Sequence, residues 1–426
     1  MFSFIHAADI HLDSPLKGLE RYEGAPVDEI RGATRRAMEN LVEIAIERDV
    51  DFLLIAGDLY DGDWKDHNTG LFFVSQVVKL RDAGIPVFVI SGNHDAANKM
   101  TKSLRLPKNA DGSSVMLSHK TPETLIVDDV GVAIHGRGFA TATVTENVVD
   151  TYPAKSAGFY NIGLLHTSLD SESVDEHSRY APCKLSDLAA KQYDYWALGH
   201  IHHRNIRNED PTIVFPGNIQ GRHVRETGAK GCVLVTVDDR GQTQVQFESL
   251  DVLRWEKCVV DASNITDCEE LIDTCMNEVS KRLQQNDGMT MAVRIVIQGE
   301  TPIHRQLHGD QTRWTNQVRA AAIDVSGGQV WLEKIKLQTS PVADAVESMT
   351  SSGPVSELVS YIDSLQADQG QLASLAESLG DLRRKLPDEL KSGMEALALD
   401  DPKQLREVLE DIKPLLLDEL LQEARP

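Results

Sequence analysis

Short apolar runs alternate with helix-periodic stretches over roughly the first 240 positions of the chain. Phe2–Ala7, Phe52–Ala56, Val87–Ile90, Val132–Ile134, Ile162–Leu165, Tyr195–Leu198 and Cys232–Thr236 read as buried strands. The stretch Arg31–Arg48 places Met38, Leu41, Val42, Ala45 and Ile46 at helical spacing, which predicts an amphipathic helix. A second helix is predicted over Gly70–Ala83, and Gly84-Ile85-Pro86 stops it and opens the next strand. Strands alternating with helices define an α/β layered fold.

The texture changes after about position 250. VLRWEKCVVDA, MAVRIVIQG and WLEKIKLQ predict strands, and the acidic run Thr266–Leu283 predicts a helix, so this region reads as a small α+β domain. Beyond Pro341 the chain is rich in Ser, Glu, Asp and Leu, with 18 acidic and 8 basic residues and one aromatic, Tyr361. Apolar spacing in Leu405–Leu421, broken by Pro414, predicts short amphipathic helices. These changes divide the chain into residues 1–245, 246–340 and an acidic helical C-terminal segment, 341–426, that serves as a solvated appendage or docks a partner helix.

Of the 426 residues, 41% are hydrophobic and 26% charged, a globular balance that excludes a wholly disordered chain or a fibre. No apolar run approaches the ~18–20 residues of a membrane span. The N-terminal MFSFIHAADIHL has no basic region and no cleavage site, so a cytoplasmic location without membrane association is expected. Five cysteines without CxxC spacing argue against a disulfide framework or a zinc knuckle. The formal charge of −23 argues against a protein that coats DNA with its whole surface, because non-specific duplex binding is mostly cationic contact. A local basic patch or bound cations remain compatible with nucleic acid.

The chemistry-bearing residues follow the strands. Asp9-Ile10-His11, Gly57-Asp58-Leu59-Tyr60-Asp61, Gly92-Asn93-His94-Asp95, His166 and Gly199-His200-Ile201-His202 each come directly after an apolar run. Open α/β sheets bind ligands at the carboxyl ends of their strands, so five such ends would gather about eight oxygen and nitrogen donors. In Asp9-x-His11 and His200-x-His202, residues i and i+2 would face one side of a strand and reach one ion. Gly57 and Gly92 allow sharp turns and close backbone approach. Carboxylate, imidazole and amide without thiolate suit two hard-to-borderline divalent cations.

The set DxH, GDxxD, GNHD, H, GHxH, in this order, resembles the calcineurin-like metallophosphoesterase superfamily. His6–Asp13, Tyr193–His202, Phe215–Asn218 and Gly221–His223 narrow the resemblance to SbcD-type DNA-repair exonucleases and their YhaO-like bacterial members. It is strong over residues 1–240. The region 246–340 is similar in kind to the family's small capping domain, and the tail matches no motif. The resemblance implies a four-layer β-sandwich flanked by helices, a capping domain and the acidic tail. It also implies one ion held by Asp9, His11 and His202, a second by Asn93, His166 and His200, and Asp58 bridging them. Manganese is the first expectation, with iron or zinc as alternatives. The pair would activate a hydroxide and clamp the phosphoryl group. His94 would stabilise the transition state or protonate the leaving oxygen, oriented by Asp95. Nuclease relatives often carry histidine where Asp61 stands here, and a capping or hydrogen-bonding role is expected for it.

A loop lining of Arg137, Arg204, Arg207, Arg222, Arg225 and Lys230 would meet phosphate, with Arg204, Arg222 and His223 as substrate contacts. His6 reads as packed or hydrogen-bonded, and His67, His119, His177, His304 and His308 as surface residues. His135 is a weaker site candidate, and His203 faces away from His202. The resulting expectation is a DNA nuclease working with an SbcC-like SMC-type ATPase, as a homodimer. A small-molecule or protein phosphoesterase on the same scaffold is the alternative, because the metal site alone does not choose the substrate.

Overall fold

The computed structural model describes residues 1–14, 27–61, 67–97, 106–169, 180–342, 354–386 and scattered positions between 399 and 413. They form two compact units, residues 1–256 with 286–292, and residues 257–285 with those described from 293 onward.

The first unit contains two sheets. One has five strands: β1 (Phe2–Ala7), β2 (Phe52–Ala56), β3 (Val87–Ile90), β10 (Gly231–Val237) and β11 (Thr243–Ser249), in the order β11-β10-β1-β2-β3. The other has six: β4 (Glu123–Val127), β5 (Val132–Gly136), β6 (Tyr160–His166), β7 (Tyr195–Gly199), β8 (Asn205–Arg207) and β9 (Thr212–Phe215), in the order β4-β5-β6-β7-β9-β8. β1, β2 and β3 run parallel, as do β5, β6, β7 and β9. Strands buried on both faces read as continuous apolar runs, which is why the central strands are visible in the sequence.

Alternation along β1 divides its side chains between two cores. Phe2 and Phe4 point at the second sheet, joining Phe52, Phe88, Ile134, Ile162, Leu164 and Tyr195. Ile5 and Ala7 point outward, where Met38, Leu41, Val42 and Ala45 of α1 (Val27–Glu47) and Phe73 and Val77 of α2 (His67–Asp82) cover the sheet. A short helix, α3 (Asn93–Ala97), follows β3. Beyond the second sheet lies a further apolar layer containing Phe139, Tyr152, Tyr193, Trp196 and, from α4 (Leu185–Ala190), Leu188. The layers are therefore helix, sheet, sheet and an outer cover, an α/β sandwich.

β12 (Arg254–Asp261), β13 (Met291–Glu300) and β14 (Val330–Ser340), most of whose residues belong to the second unit, form one sheet in that order. α5 (Cys268–Gln285) and α7 (Gln311–Ser326) pack together, with the short α6 (His304–Gly309) between β13 and α7 in the chain. Arg294 on β13 pairs with the buried Glu333 of β14. Helices at Pro354–Ala367, Gln369–Ser378 and Gly380–Lys385 follow. Of the predicted helices in Leu405–Leu421, positions 405, 406, 408, 409, 412 and 413 are described and helical, and the rest lie outside the described residues, as do His177 and the side chain of His67. All five cysteines are buried free thiols. No helix among the described residues is long and apolar enough to cross a membrane.

Two histidines differ from expectation. His304 is buried, its ring centroid 4.3 Å from that of the half-buried His308, and its Nδ1 is 2.9 Å from the Thr339 hydroxyl. Both sit on α6, which the polar local sequence conceals.

Phe4 is fully buried between the sheets, stacked on Phe52 at 4.9 Å and edge-on to Tyr195 at 5.2 Å. Phe4→Ala is expected to lower unfolding stability by about 3–5 kcal/mol in chemical denaturation, the range for a deleted core aromatic.

Candidate metal centre

The parallel strands place their carboxyl ends together, and those of β1, β2, β3, β6 and β7 deliver the candidate ligands. Asp9 and His11 follow β1, Asp58 and Asp61 follow β2, and Asn93 and His94 open α3 after β3. From the other sheet come His166, the last residue of β6, and His200 and His202 just beyond β7. Backbone bonds stitch the loops to one another. Asp9 N–H donates to Gly57 O at 3.1 Å and His11 N–H to Asp58 O at 3.0 Å. The His200 N–H donates to the Asp9 carboxylate at 3.0 and 3.1 Å, joining the two sheets.

Strand alternation does not bring Asp9 beside His11, or His200 beside His202. β1 stops at Ala7 and β7 at Gly199, so all four lie in loops. Asp9, His11, Asp58 and His200 instead have φ of 51°, 46°, 51° and 101°. Such backbone costs on the order of 1–3 kcal/mol per residue and persists where the surroundings over-determine it. The turns also need two bare backbones. A Cβ on Gly92 would lie 2.2 Å from Asp58 Oδ1, and one on Gly199 would lie 1.9 Å from the Ala56 carbonyl oxygen.

The side chains converge. His11 Nε2 and His202 Nε2 face each other at 3.3 Å. Asp58 Oδ2 lies 4.0 Å from His11 Nε2 and 3.4 Å from His166 Nε2, while Asp58 Oδ1 accepts the His94 N–H at 2.9 Å. Asn93 Oδ1 is 3.0 Å from His166 Nε2, and the His200 ring centroid is 5.2 Å from that of His166. Donor atoms of Asp9, His11 and His202 fall within 4.8 Å of one another, as do those of Asp9, Asp58 and His166, and those of His11, Asp58 and His94.

Charge follows from this crowding. Burial pushes Asp9 up to about 7 against the pull of His166. Burial opposes ionisation of Asp58 too, but the adjacent His166 and His11 outweigh it and hold its carboxyl far below the usual range. His166 responds in kind: burial disfavours its cation, yet Asp58 raises it to about 9. Imidazole nitrogens facing one another across carboxylates fit divalent cations, which satisfy both at once.

His94 is pinned by Asp61, whose Oδ1 is 2.8 Å from its Nδ1. Burial alone would lower the His94 pKa, but the Asp61 hydrogen bond and the nearby Asp58 raise it. Asp95 does not play the expected orienting part. Its carboxylate accepts the backbone N–H groups of Gly92, Leu59 and Tyr60 at 3.0, 3.1 and 2.9 Å, locking the β2 and β3 loops together. Adjacency in sequence suggests an Asp95–His94 pair, whereas both lie on α3, where consecutive side chains point in different directions.

Of the expected lining, Arg222 turns inward to Glu226, with Nη2 at 2.8 Å and Nη1 3.6 Å from Asp61. His223 Nε2 is 3.6 Å from Glu226 Oε1. Lys230 donates to the His202 carbonyl at 3.0 Å. Arg204 is exposed and stacks its guanidinium over Phe247 at 3.7 Å. Arg137 faces Glu146 at 4.0 Å, Arg225 is exposed, and Arg207 lies on β8. His135 is buried away from the cluster, bonded to Thr124 and Asn161, and His6 to Tyr195. Glu226 is a functional candidate that sequence reasoning does not single out. Its only local signal is a lone acid closing the basic run Arg222-His223-Val224-Arg225.

A two-sheet sandwich with carboxylates and imidazoles converging at its strand ends is suited to divalent cations and to metal-dependent phosphoester hydrolysis. Residues 2–204 match the sequence profile of the calcineurin-like phosphoesterases, and residues 255–340 match that of the YhaO metallophosphoesterase middle domain. The chain is 34% identical to the metallophosphoesterase YhaO of Bacillus subtilis, over 70% of this chain and 72% of that protein. It is 27% identical to the DNA double-strand break repair protein Mre11 of Aeropyrum pernix, over 96% of this chain and 95% of that one. For Mre11 of Sulfurisphaera tokodaii the figures are 23%, 70% and 73%. The chain belongs to the calcineurin-like phosphoesterase family. Members of that family use a dinuclear metal centre, and the His and Asp groups gathered here are candidate ligands for one.

A raised His94 pKa keeps the ring protonated to higher pH, so turnover that needs the proton fails as pH rises through that value. Asp61→Asn removes the negative charge and leaves at most a neutral hydrogen bond to the ring, so the alkaline limb of the pH–rate profile is expected to move to lower pH. His94→Gln is expected to lower kcat by about 10²–10⁴ while metal content stays that of the wild type. An unmoved limb, or full activity without His94, contradicts the assignment.

Proposed function

We propose that this phosphoesterase is a DNA nuclease of the SbcD type, hydrolysing DNA phosphodiester bonds as an exonuclease in DNA repair. An SbcC-like SMC-type ATPase is its partner, and the active form is a homodimer. The observation that carries the reading is the length of the likeness to proteins named for double-strand break repair. It runs through both units, far past the residues that a phosphoesterase site requires.

Asp9, His11 and His202 would hold one ion, Asn93, His166 and His200 the other, with Asp58 between them; manganese is the proposed metal. When bound, the ions would supply an activated water and neutralise charge on the phosphoryl oxygens. The chain's own residues do the rest. His94 is half-buried and more open than the ligands around it, so a phosphate ester can approach it. With Nδ1 held by Asp61, its Nε2 can give a proton to the sugar oxygen as that oxygen leaves. Arg222 keeps Asp61 in place from the other side, which preserves the ring's orientation. Arg204, at the surface beside β8, offers a guanidinium suited to a backbone phosphate.

The charge of −23 favours a second reading, a phosphoesterase for small molecules or proteins. Incubation of the full chain with manganese and end-labelled single- and double-stranded DNA separates the two. Progressive shortening of the labelled DNA supports the nuclease. Brisk hydrolysis of monoesters or cyclic nucleotides with intact DNA, whether or not the ATPase is added, establishes the second reading instead.

A further inference from the structure

Of the three histidines that reach the cluster from the second sheet, His166 and His202 are backed by different groups. His166 Nδ1–H donates to the Ala56 carbonyl at 2.9 Å, a neutral acceptor. His202 Nδ1 lies 2.8 Å from Glu226 Oε1, a carboxylate. Glu226 is 3% exposed, and it is tied down on every side. Its Oε2 accepts the Arg222 N–H at 2.8 Å and Asn218 Nδ2–H at 2.9 Å, and its Oε1 accepts Arg222 Nη2–H at 2.8 Å. Arg222 Nη2 also lies 3.2 Å from His202 Nδ1. An unprotonated Nδ1 would set its lone pair against a carboxylate at 2.8 Å, so the proton belongs on Nδ1 and the guanidinium contact is a by-product of shared Glu226. With the proton there, the His202 Nε2 lone pair is presented toward His11 Nε2.

We propose that Glu226 is the positioning residue for His202, and that it makes the pair of metal sites unequal by strengthening the one that His202 completes. A carboxylate behind a ligating imidazole fixes its tautomer and raises its basicity more than a carbonyl does. Burial confines this effect, since His202 is the expected ligand whose ring Glu226 contacts directly. The inference rests on the reading of the cluster as a dinuclear centre. It concerns metal affinity, which is measurable apart from catalysis.

Calorimetric titration of the metal-stripped full chain with manganese chloride tests it. Wild type is expected to take up two ions. In Glu226→Gln and Glu226→Ala one of them is expected to bind about 10–100-fold more weakly, the other retaining its affinity. In a His202→Ala background, Glu226→Gln is expected to cause no further loss, since the carboxylate acts through that ring. Two ions bound with unchanged affinities in the variants, an equal loss at both sites, or a further loss without His202 overturns the inference alone. Fewer than two ions on the wild type overturns the metal centre, and the inference with it. Nitrogen-15 NMR of histidine in the zinc-loaded wild type needs no variant to fold. The Nδ1–H tautomer at His202 supports the inference, and the Nε2–H tautomer overturns it.

Discussion

Three carboxylates, Asp9, Asp58 and Asp95, are held almost wholly out of water in one corner of the first unit, and the surrounding structure is arranged around that confinement. Like charges in such a place repel and are poorly solvated, so each must be met by donors or by cations. Asp95 is met by three backbone N–H groups, Asp9 by that of His200, and Asp58 by that of His94 together with two imidazoles. These donors come from loops that would not adopt left-handed backbone without compensation, and the sheets beneath provide it. β1, β2 and β3 fix the loop origins by parallel register, and the apolar layer between the sheets fixes β6 and β7 over them. Strain, burial and convergent charge are three aspects of one design.

The same confinement explains the division of labour among the four aspartates. Asp9 and Asp58 face the imidazoles, so their oxygens remain disposed for cations. Asp95, fully satisfied by backbone, is structural. Asp61 lies at the mouth, where burial is incomplete, and pairs with His94, whose exposure of 39% exceeds that of the rings around it. A proton donor must meet both the protein and the ligand, and that position at the edge is where such a group belongs.

Much of this architecture is legible in the sequence. Strands β1, β2 and β3 coincide with their predicted runs to the residue, because strands covered on both faces are mostly apolar, Ser3 and His6 of β1 being the polar exceptions. The edge strands β4, β8 and β11 escape that pattern. Their half-buried and exposed positions look like loop, as in Thr243–Ser249. β9, Thr212–Phe215 after Pro211, is not singled out in the sequence either. Asp9, His11, Asp58, Asn93, His166, His200 and His202 are all readable as residues, because each follows an apolar run. Their local geometry is not, since left-handed φ at Asp and His leaves no pattern in the chain. Glu226 and the true partner of His94 are hidden for a related reason. Both depend on how loops fold back on themselves, and a loop has no period to betray it.

The acidity of the whole chain and the demands of an anionic phosphate ester are reconciled by distance. Exposed charges more than about 10 Å apart are largely screened at 0.1 M salt, so a total of −23 says little about one crevice. Within the crevice the balance is set by groups in direct contact, and there the buried acids are partly neutralised already. Asp9 sits near neutral pH in its ionisation, His166 carries its proton well into the alkaline range, and Arg222 is fixed between Glu226 and Asp61. Two divalent cations would displace the protons from Asp9 and His166 and leave the site positive toward an incoming phosphate. The acidity that looks unfavourable for an anionic substrate when summed over the chain is, at the strand ends, what would draw cations there.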